Sequence, residues 1–372
     1  MIDMSNTPTI ELLAQVREEI DIALDHARKE GADRVINAIL QGKIKLPPLD
    51  KTIFVSVAAY CEPHLEFTLD SMFSAAFLPQ NLRVGVFDQS AEDNLAWLSK
   101  KPYWENIRYL QADHHQSRGA SWARAVVGTM YSGEDFYFQI DSHTLFDPGW
   151  DRTLLDAYER LLTKVDKPII STYPLPFKFK DGVATPTMER INAVYMMGLL
   201  PNADFHKKGI NYGSKVYYEQ SIAFKNGFHL AGGFIFTQGS FVEDIPYDPY
   251  LYFEGEEQNL AVRAFTHGWT IMHPNDKFIP IYHLYKDNDS GADSHHWNDE
   301  HDTTRSVKWV DQYRRAEKRL ADLLFYGKPM GVYGLGTQRT LKDFAEFSGI
   351  DFINRIIEPR AYADKVEPET KG

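Results

Sequence analysis

From Thr52 to Thr172 the chain alternates short apolar runs with amphipathic stretches, and this alternation limits the fold more than any other feature. Residues 53–57, 82–87, 107–110, a run ending at Asp141, and 168–172 read as buried strands. Between them, residues 63–77, 119–131 and 152–162 carry apolar side chains at helical spacing. The pattern predicts an α/β fold, a mainly parallel sheet with helices on both faces. No G-x-G-x-x-G and no Walker sequence occurs, so the common dinucleotide and ATP folds lack their marks.

The strand ending at Asp141 carries the chemistry. Phe136, Tyr137, Phe138 and Ile140 form its apolar body, and Asp141, Ser142 and His143 follow. In an extended chain, residues two apart share a side, so the Asp141 carboxylate and the His143 imidazole can converge on one point. That pair suits a divalent ion such as Mn²⁺, with positions left open for a ligand's oxygens. Ligands of open α/β sheets bind beyond the carboxyl ends of strands, where the triplet falls. The plainer alternative makes Asp141 the cap of the next turn and His143 a surface residue.

Composition excludes some classes. A chain of 372 residues with 43% hydrophobic content can fill one large domain or two. A formal charge of −12 argues against a nucleic-acid backbone as the main partner. Cys61 is the only cysteine, so no intrachain disulfide forms and a reducing compartment is expected. No apolar run approaches the roughly 18 residues of a membrane span, and the first residues lack a signal-peptide core. A soluble, cytoplasmic protein is the expectation.

Other segments divide the chain. Residues 1–50 read as a helical hairpin and a linker, with Ile10, Leu13, Val16, Ile20 and Leu24 on one stripe and Pro47-Pro48 stiffening the end. Such a hairpin must cover its stripe on the main domain or on a second copy, giving a homo-oligomer. Residues 173–230 lose periodicity and read as an irregular insertion over the ligand edge. Gly232-Gly233 opens a strand, where a backbone can approach a ligand closely. Glu254, Glu256 and Glu257 precede a helix, where acids favour the helix dipole or, in a cleft, accept hydroxyls and act as a base. A strand at 278–281 leads to His283, which stands alone among apolar neighbours as a core histidine would. Residues 286–301, with His295, His296 and His301, read as a surface loop that closes over bound ligand with Gly291 as hinge, and 356–372 as a polar tail.

Taken together, these residues resemble the cytoplasmic hydroxyproline-directed N-acetylglucosaminyltransferases, which have the GT-A glycosyltransferase fold, and more distantly the polypeptide N-acetylgalactosaminyltransferases. The matching segments are FVSVAAYCEP, RGASWAR, YFQIDSHTLFDPGWD, EGEEQNLAVRAFTHGW, YHLY and RTLKDFAEFSGIDF, which span residues 51–355 as one GT-A domain. The resemblance implies that Asp141, His143 and His283 hold Mn²⁺ (or Mg²⁺) against the diphosphate of a UDP-sugar. It implies Tyr60, Glu62, Gln89, Arg118 and Ser142 on the nucleotide side, and Glu256, Glu257 and Asp141 as catalytic. The family's S-Y-R-D-P turn departs here to Ala59-Tyr60-Cys61-Glu62-Pro63. Arg118 and Arg124 match R-G-x-x-x-A-R, one to approach the diphosphate and the other to pin the sheet edge. The implied activity is metal-dependent, retaining transfer of N-acetylglucosamine from UDP-GlcNAc to a hydroxyl on a protein or small glycoside. The alternatives are the same fold with another UDP-sugar, or a non-catalytic binding or assembly protein.

Overall fold

β1 (Ile53–Tyr60) shows why the alternation builds a covered sheet. Ile53, Val55, Val57 and Ala59 enter one core while Phe54 enters another on the opposite face. A strand buried on both faces belongs in the middle of a layered sheet. The computed structural model describes residues 50–201, 203–205, 210–285 and 295–362. Residues 1–49 and 50–372 are separate compact units. The expected hairpin falls in the first of these and lies outside the described residues, as do 286–294 of the expected lid and 363–372 of the tail.

β2 (Leu82–Gln89), β3 (Ile107–Ala112) and β4 (Phe136–Asp141) extend the sheet. After them come β5 (Thr144–Phe146), β6 (Pro168–Ser171), β7 (Leu175–Lys180), β8 (Val183–Pro186), β9 (Val194–Leu199) and β10 (Tyr212–Tyr217). The series ends with β11 (Phe224–Gly227), β12 (Phe234–Gln238), β13 (Thr270–Pro274) and β14 (Ile281–His283). The main sheet has eight strands in the order β11-β13-β6-β12-β4-β1-β2-β3. Only β11 and β12 run against the rest, so the sheet is mainly parallel as expected. The helices Leu65–Ala75 and Trp150–Leu162 pack on one face, and Ala120–Gly128 and Glu256–Thr266 on the other. β1 lies between β2 and β4, so the chain order reverses there and the carboxyl ends of β1 and β4 open a crevice.

Three sequence expectations are corrected. Residues 173–230 are not irregular but carry β7 to β11, with β9 paired to β10 and β11 on the sheet edge. The expected strand at 278–281 starts later, at Ile281, because Asp276–Phe278 closes a 3₁₀ turn under the Asn275 cap. β13 was missing from the sequence reading, although all five of its residues are buried. A second sheet of order β5-β14-β7-β8 matters most for the site. In it His283 on β14 pairs with Thr144 on β5, the residue after His143. Among the described residues no helix is long and apolar enough to cross a membrane. Ile356–Ile357 pairs with Ile350–Asp351, so the first residues of the expected tail are part of the body.

Candidate active site

β4 delivers Asp141 to the crevice, the following turn delivers His143, and β14 delivers His283 beside them. One donor atom from each lies within 4.8 Å of the other two. His283 Nε2 is 3.0 Å from Asp141 Oδ2 and 3.0 Å from His143 Nε2. His143 Nδ1 donates to Glu62 Oε2 at 2.7 Å, which fixes the tautomer and turns the Nε2 lone pair toward the shared centre. The Glu62 carboxylate is itself held, accepting from the His64 amide at 3.0 Å and from Ser142 Oγ at 3.3 Å.

The charges suit a cation. Burial alone would raise the Asp141 pKa, but the His283 hydrogen bond and the Arg124 guanidinium hold it well below the usual carboxylate range. Burial lowers the pKa of His283 against the pull of Asp141, which favours the neutral imidazole that a metal ion would need. A carboxylate with two imidazoles and open positions fits a divalent ion of the Mn²⁺ class.

Arg124, Glu256 and Glu257 form the wall behind this centre. Arg124 Nη2 donates to Asp141 Oδ1 at 2.8 Å, its Nη1 donates to the Gly232 carbonyl at 2.8 Å, and its Nε stands 3.5 Å from Glu256 Oε1. Glu256 is buried, accepting from Tyr247 Oη at 3.0 Å and Ser121 Oγ at 3.3 Å. Burial pushes its pKa up while Arg124 opposes the rise. Glu257 turns the other way, accepting from the Gly232 amide at 2.7 Å and from Tyr173 Oη at 3.4 Å, with His229 Nε2 at 3.7 Å. The adjacent carboxylates therefore differ: one is locked inside and one faces space. The glycine pair has a matching reason. A Cβ on Gly233 would stand 2.6 Å from Asp141 Oδ2, and one on Gly232 would stand 3.0 Å from Glu256 Oε1.

Two cavities meet at this wall. One of about 500 Å³ has Tyr173, Tyr212, His229, Glu257 and Tyr285 around it. The other, of about 320 Å³, has Tyr60, Gln89, Ser117, His296 and Trp297. Both include Arg124, Asp141, Phe253 and His283 in their lining. The family described as "Glycosyltransferase (GlcNAc)" matches over residues 52–103 and 98–354.

The chain belongs to this glycosyltransferase family.

No curated protein matches it. Among solved structures, GalNAc-T7 with UDP, GalNAc and Mn²⁺ superposes with a TM-score of 0.53 at 13% identity, covering 82% of this chain. The chain spans 58% of the length of that structure. S. aureus TarS 1-349 in complex with UDP-GlcNAc gives a TM-score of 0.41 at 12% identity, over 73% of this chain and 72% of the other. The first likeness shows the GT-A fold.

Within this glycosyltransferase the remaining sequence candidates take distinct places. The Tyr60 hydroxyl is bonded to His301 Nδ1 at 2.6 Å and to the Arg305 guanidinium, and burial pushes its pKa up to about 12. Gln89 donates to the Ala59 carbonyl at 3.0 Å and accepts from Ser117 Oγ at 2.6 Å, tying together the strand ends that floor the smaller cavity. Ser142 is buried, and its carbonyl accepts from Thr68 Oγ1. Arg118 is exposed over the Trp122 ring, so the arginine that pins the sheet edge is Arg124. The reading of 295–301 as loop surface is overturned at two positions. His296 and His301 are buried, with His296 Nδ1 bonded to Tyr252 Oη at 2.5 Å. Their partners Tyr60, Tyr252 and Arg305 are remote in sequence or beyond the run, and no local pattern joins them. Tyr173 and His229 were likewise missed, both lying in the stretch 173–230 without clear periodicity, and Tyr285 entered only as the last letter of YHLY.

Proposed function

We propose that the protein transfers N-acetylglucosamine from UDP-GlcNAc to a hydroxyl of a protein or small glycoside, in a metal-dependent reaction that retains anomeric configuration. The observation that carries this is the convergence of Asp141, His143 and His283 where the two cavities meet. Mn²⁺ (or Mg²⁺) would be held by those three residues. When bound, it supplies positive charge beside a diphosphate whose bond to the anomeric carbon is breaking. GalNAc-T7, with the same fold, was solved with UDP and Mn²⁺.

The chain's own groups do the rest. Asp141 stays anionic, Glu62 orients His143, and Gly232-Gly233 lets the start of β12 pass close to the donor. The smaller cavity takes the nucleotide and the larger one the sugar and acceptor. Glu257 accepts hydrogen bonds from sugar hydroxyls, while Glu256 holds Arg124 in place. The bond from the anomeric carbon to the phosphate oxygen breaks, and the acceptor oxygen bonds to the same face. The acceptor proton passes to the departing phosphate oxygen, so no protein base is required. The enclosing walls keep water from the activated carbon. The single cysteine fits a cytoplasmic setting, and residues 1–50 are proposed to mediate self-association.

UDP release from a panel of UDP-sugars, with and without acceptor hydroxyls, tests the assignment. UDP-GlcNAc should turn over fastest, lose activity in chelator and regain it with Mn²⁺. Faster turnover of another UDP-sugar would reassign the donor. No turnover of any donor would leave a binding or assembly protein.

A further inference from the structure

A second group of potential ligands lies beyond the nucleotide-side cavity and shares no residue with the first. One donor atom each from Cys61, His114 and His301 falls within 4.8 Å of the other two. Cys61 ends the turn after β1, His114 opens the 3₁₀ turn His114–Gln116, and His301 sits in the short helix Asp299–Asp302. Three stretches far apart in sequence therefore meet at a thiol and two imidazoles. The two imidazole rings stand edge to face at 5.0 Å between centroids.

Several features of these side chains point to a ligand. His301 Nδ1 pairs with the Tyr60 hydroxyl at 2.6 Å, which fixes the orientation of its ring. His114 Nδ1 is buried without a hydrogen-bond partner, with Asp113 Oδ1 3.7 Å away. Cys61 holds a left-handed backbone with φ of 44°, which a residue with a side chain adopts at a cost and which recurs at functional turns. The Arg305 guanidinium bonds the Tyr60 hydroxyl and the His114 carbonyl, tying the turns that carry these side chains, and the Cys61 thiol donates to the Gln89 carbonyl at 3.7 Å.

We propose that Cys61, His114 and His301 form a second cation site, for a borderline or soft divalent ion of the Zn²⁺ class, with its fourth position open to water. A thiolate with two imidazoles selects such ions over the oxygen-preferring ones. Ligand atoms on one tetrahedral ion stand roughly 3.3–3.6 Å apart, so closing this set takes side-chain rotations of about an ångström. The bound ion would join the end of β1, the turn before the helix Ala120–Gly128, and the segment that covers the nucleotide-side cavity. It would thus stabilise the cover independently of the donor.

Full-length protein, stripped with chelator, is titrated with Co²⁺ and read by absorption and melting temperature. A thiolate-to-cobalt charge-transfer band should grow to one equivalent, bleach on adding Zn²⁺, and persist in excess Mn²⁺. The band should vanish in Cys61→Ser and weaken in His301→Gln, while Asp141→Asn keeps it. Zn²⁺ affinity should fall in Cys61→Ser by more than the roughly tenfold to hundredfold that loss of an outer partner costs. Circular dichroism of both variants establishes that they fold. A wild-type protein with no such band overturns the proposal. So does folded Cys61→Ser that binds Zn²⁺ with unchanged stoichiometry and affinity.

Discussion

Replacing Glu62 with glutamine tests whether His143 is oriented for a cation or simply packed. The hydrogen bond from His143 Nδ1 is 2.7 Å long, and the Glu62 side chain is only 3% exposed. A bond to a charged acceptor contributes about 1.5–3 kcal/mol, and one to a neutral acceptor about 0.5–1.5 kcal/mol. Glutamine keeps an acceptor of the same shape, so the substitution removes about 1–1.5 kcal/mol of orientation. The bond is strongest when the other ring nitrogen ligates a cation, so most of this loss should appear in cation affinity. At about 1.4 kcal/mol per decade, Mn²⁺ should bind roughly tenfold more weakly. Calorimetric titration of Glu62→Gln with Mn²⁺, at saturating UDP, measures it, and a melt in chelator gives the stability of the cation-free protein. Unchanged Mn²⁺ affinity would refute the reasoning. If the melting temperature falls while affinity stays, Glu62 is a packing residue.

Three further outcomes follow from the same geometry. Glu257→Gln should keep the melting temperature and lower turnover by about tenfold or more, whereas Glu256→Ala should lose about 3 kcal/mol by leaving Arg124 short of a buried partner; thermal melts and initial rates would show the reverse pattern if the two roles were exchanged. Gly233→Ala should weaken Mn²⁺ binding, because its Cβ would stand 2.6 Å from Asp141 Oδ2, and a variant with wild-type affinity would show that β12 shifts freely. His273 is fully buried with its pKa pressed down to about 4 by burial, so below about 6.5 the unfolded chain takes up a proton that the folded one refuses. Stability should therefore fall as pH drops from about 6.5 toward 4, by up to about 3 kcal/mol from this group, and His273→Asn should flatten that part of a pH–melting curve.

The central strands were legible because burial on both faces writes a run such as Ile53 to Val57 with hardly a polar residue. Their ends were not: β1 continues to Tyr60 and β2 to Gln89, through residues chosen for the crevice rather than for the core. β8 was invisible for the opposite reason, since its residues are largely exposed and nothing enforces alternation. β13 hid because His273 and Pro274 interrupt its apolar run, although both are buried. The Asp141–His143 pair was local and could be read from strand geometry. His283 could not, because its partners come from β4 and the turn after it, joined only when β14 pairs with β5. Glu62 showed only as a departure in a turn, and its bond to His143 exists only in three dimensions.

Charge balance gives the proposed cation a reason independent of any likeness. Arg124 is the one lysine or arginine among the lining residues of the two cavities within the described structure. Its guanidinium is already shared between the partly exposed Asp141 and the buried Glu256. Glu254, Glu256 and Glu257 line the larger cavity, and Glu62 lines the smaller. A diphosphate entering this space meets carboxylates and one guanidinium that cannot turn toward it without abandoning them. Like charges brought together in a poorly hydrated cleft repel by several kcal/mol. Asp141 divides its two oxygens, Oδ1 to Arg124 and Oδ2 toward His283. On the proposed function, a divalent cation held by this carboxylate and the two imidazoles would reverse the sign of the site where a phosphate would lie, while Arg124 keeps the sheet edge fixed. On this account Arg124→Lys, which cannot reach Asp141, Gly232 and Glu256 together, should loosen the cation site without touching a ligand.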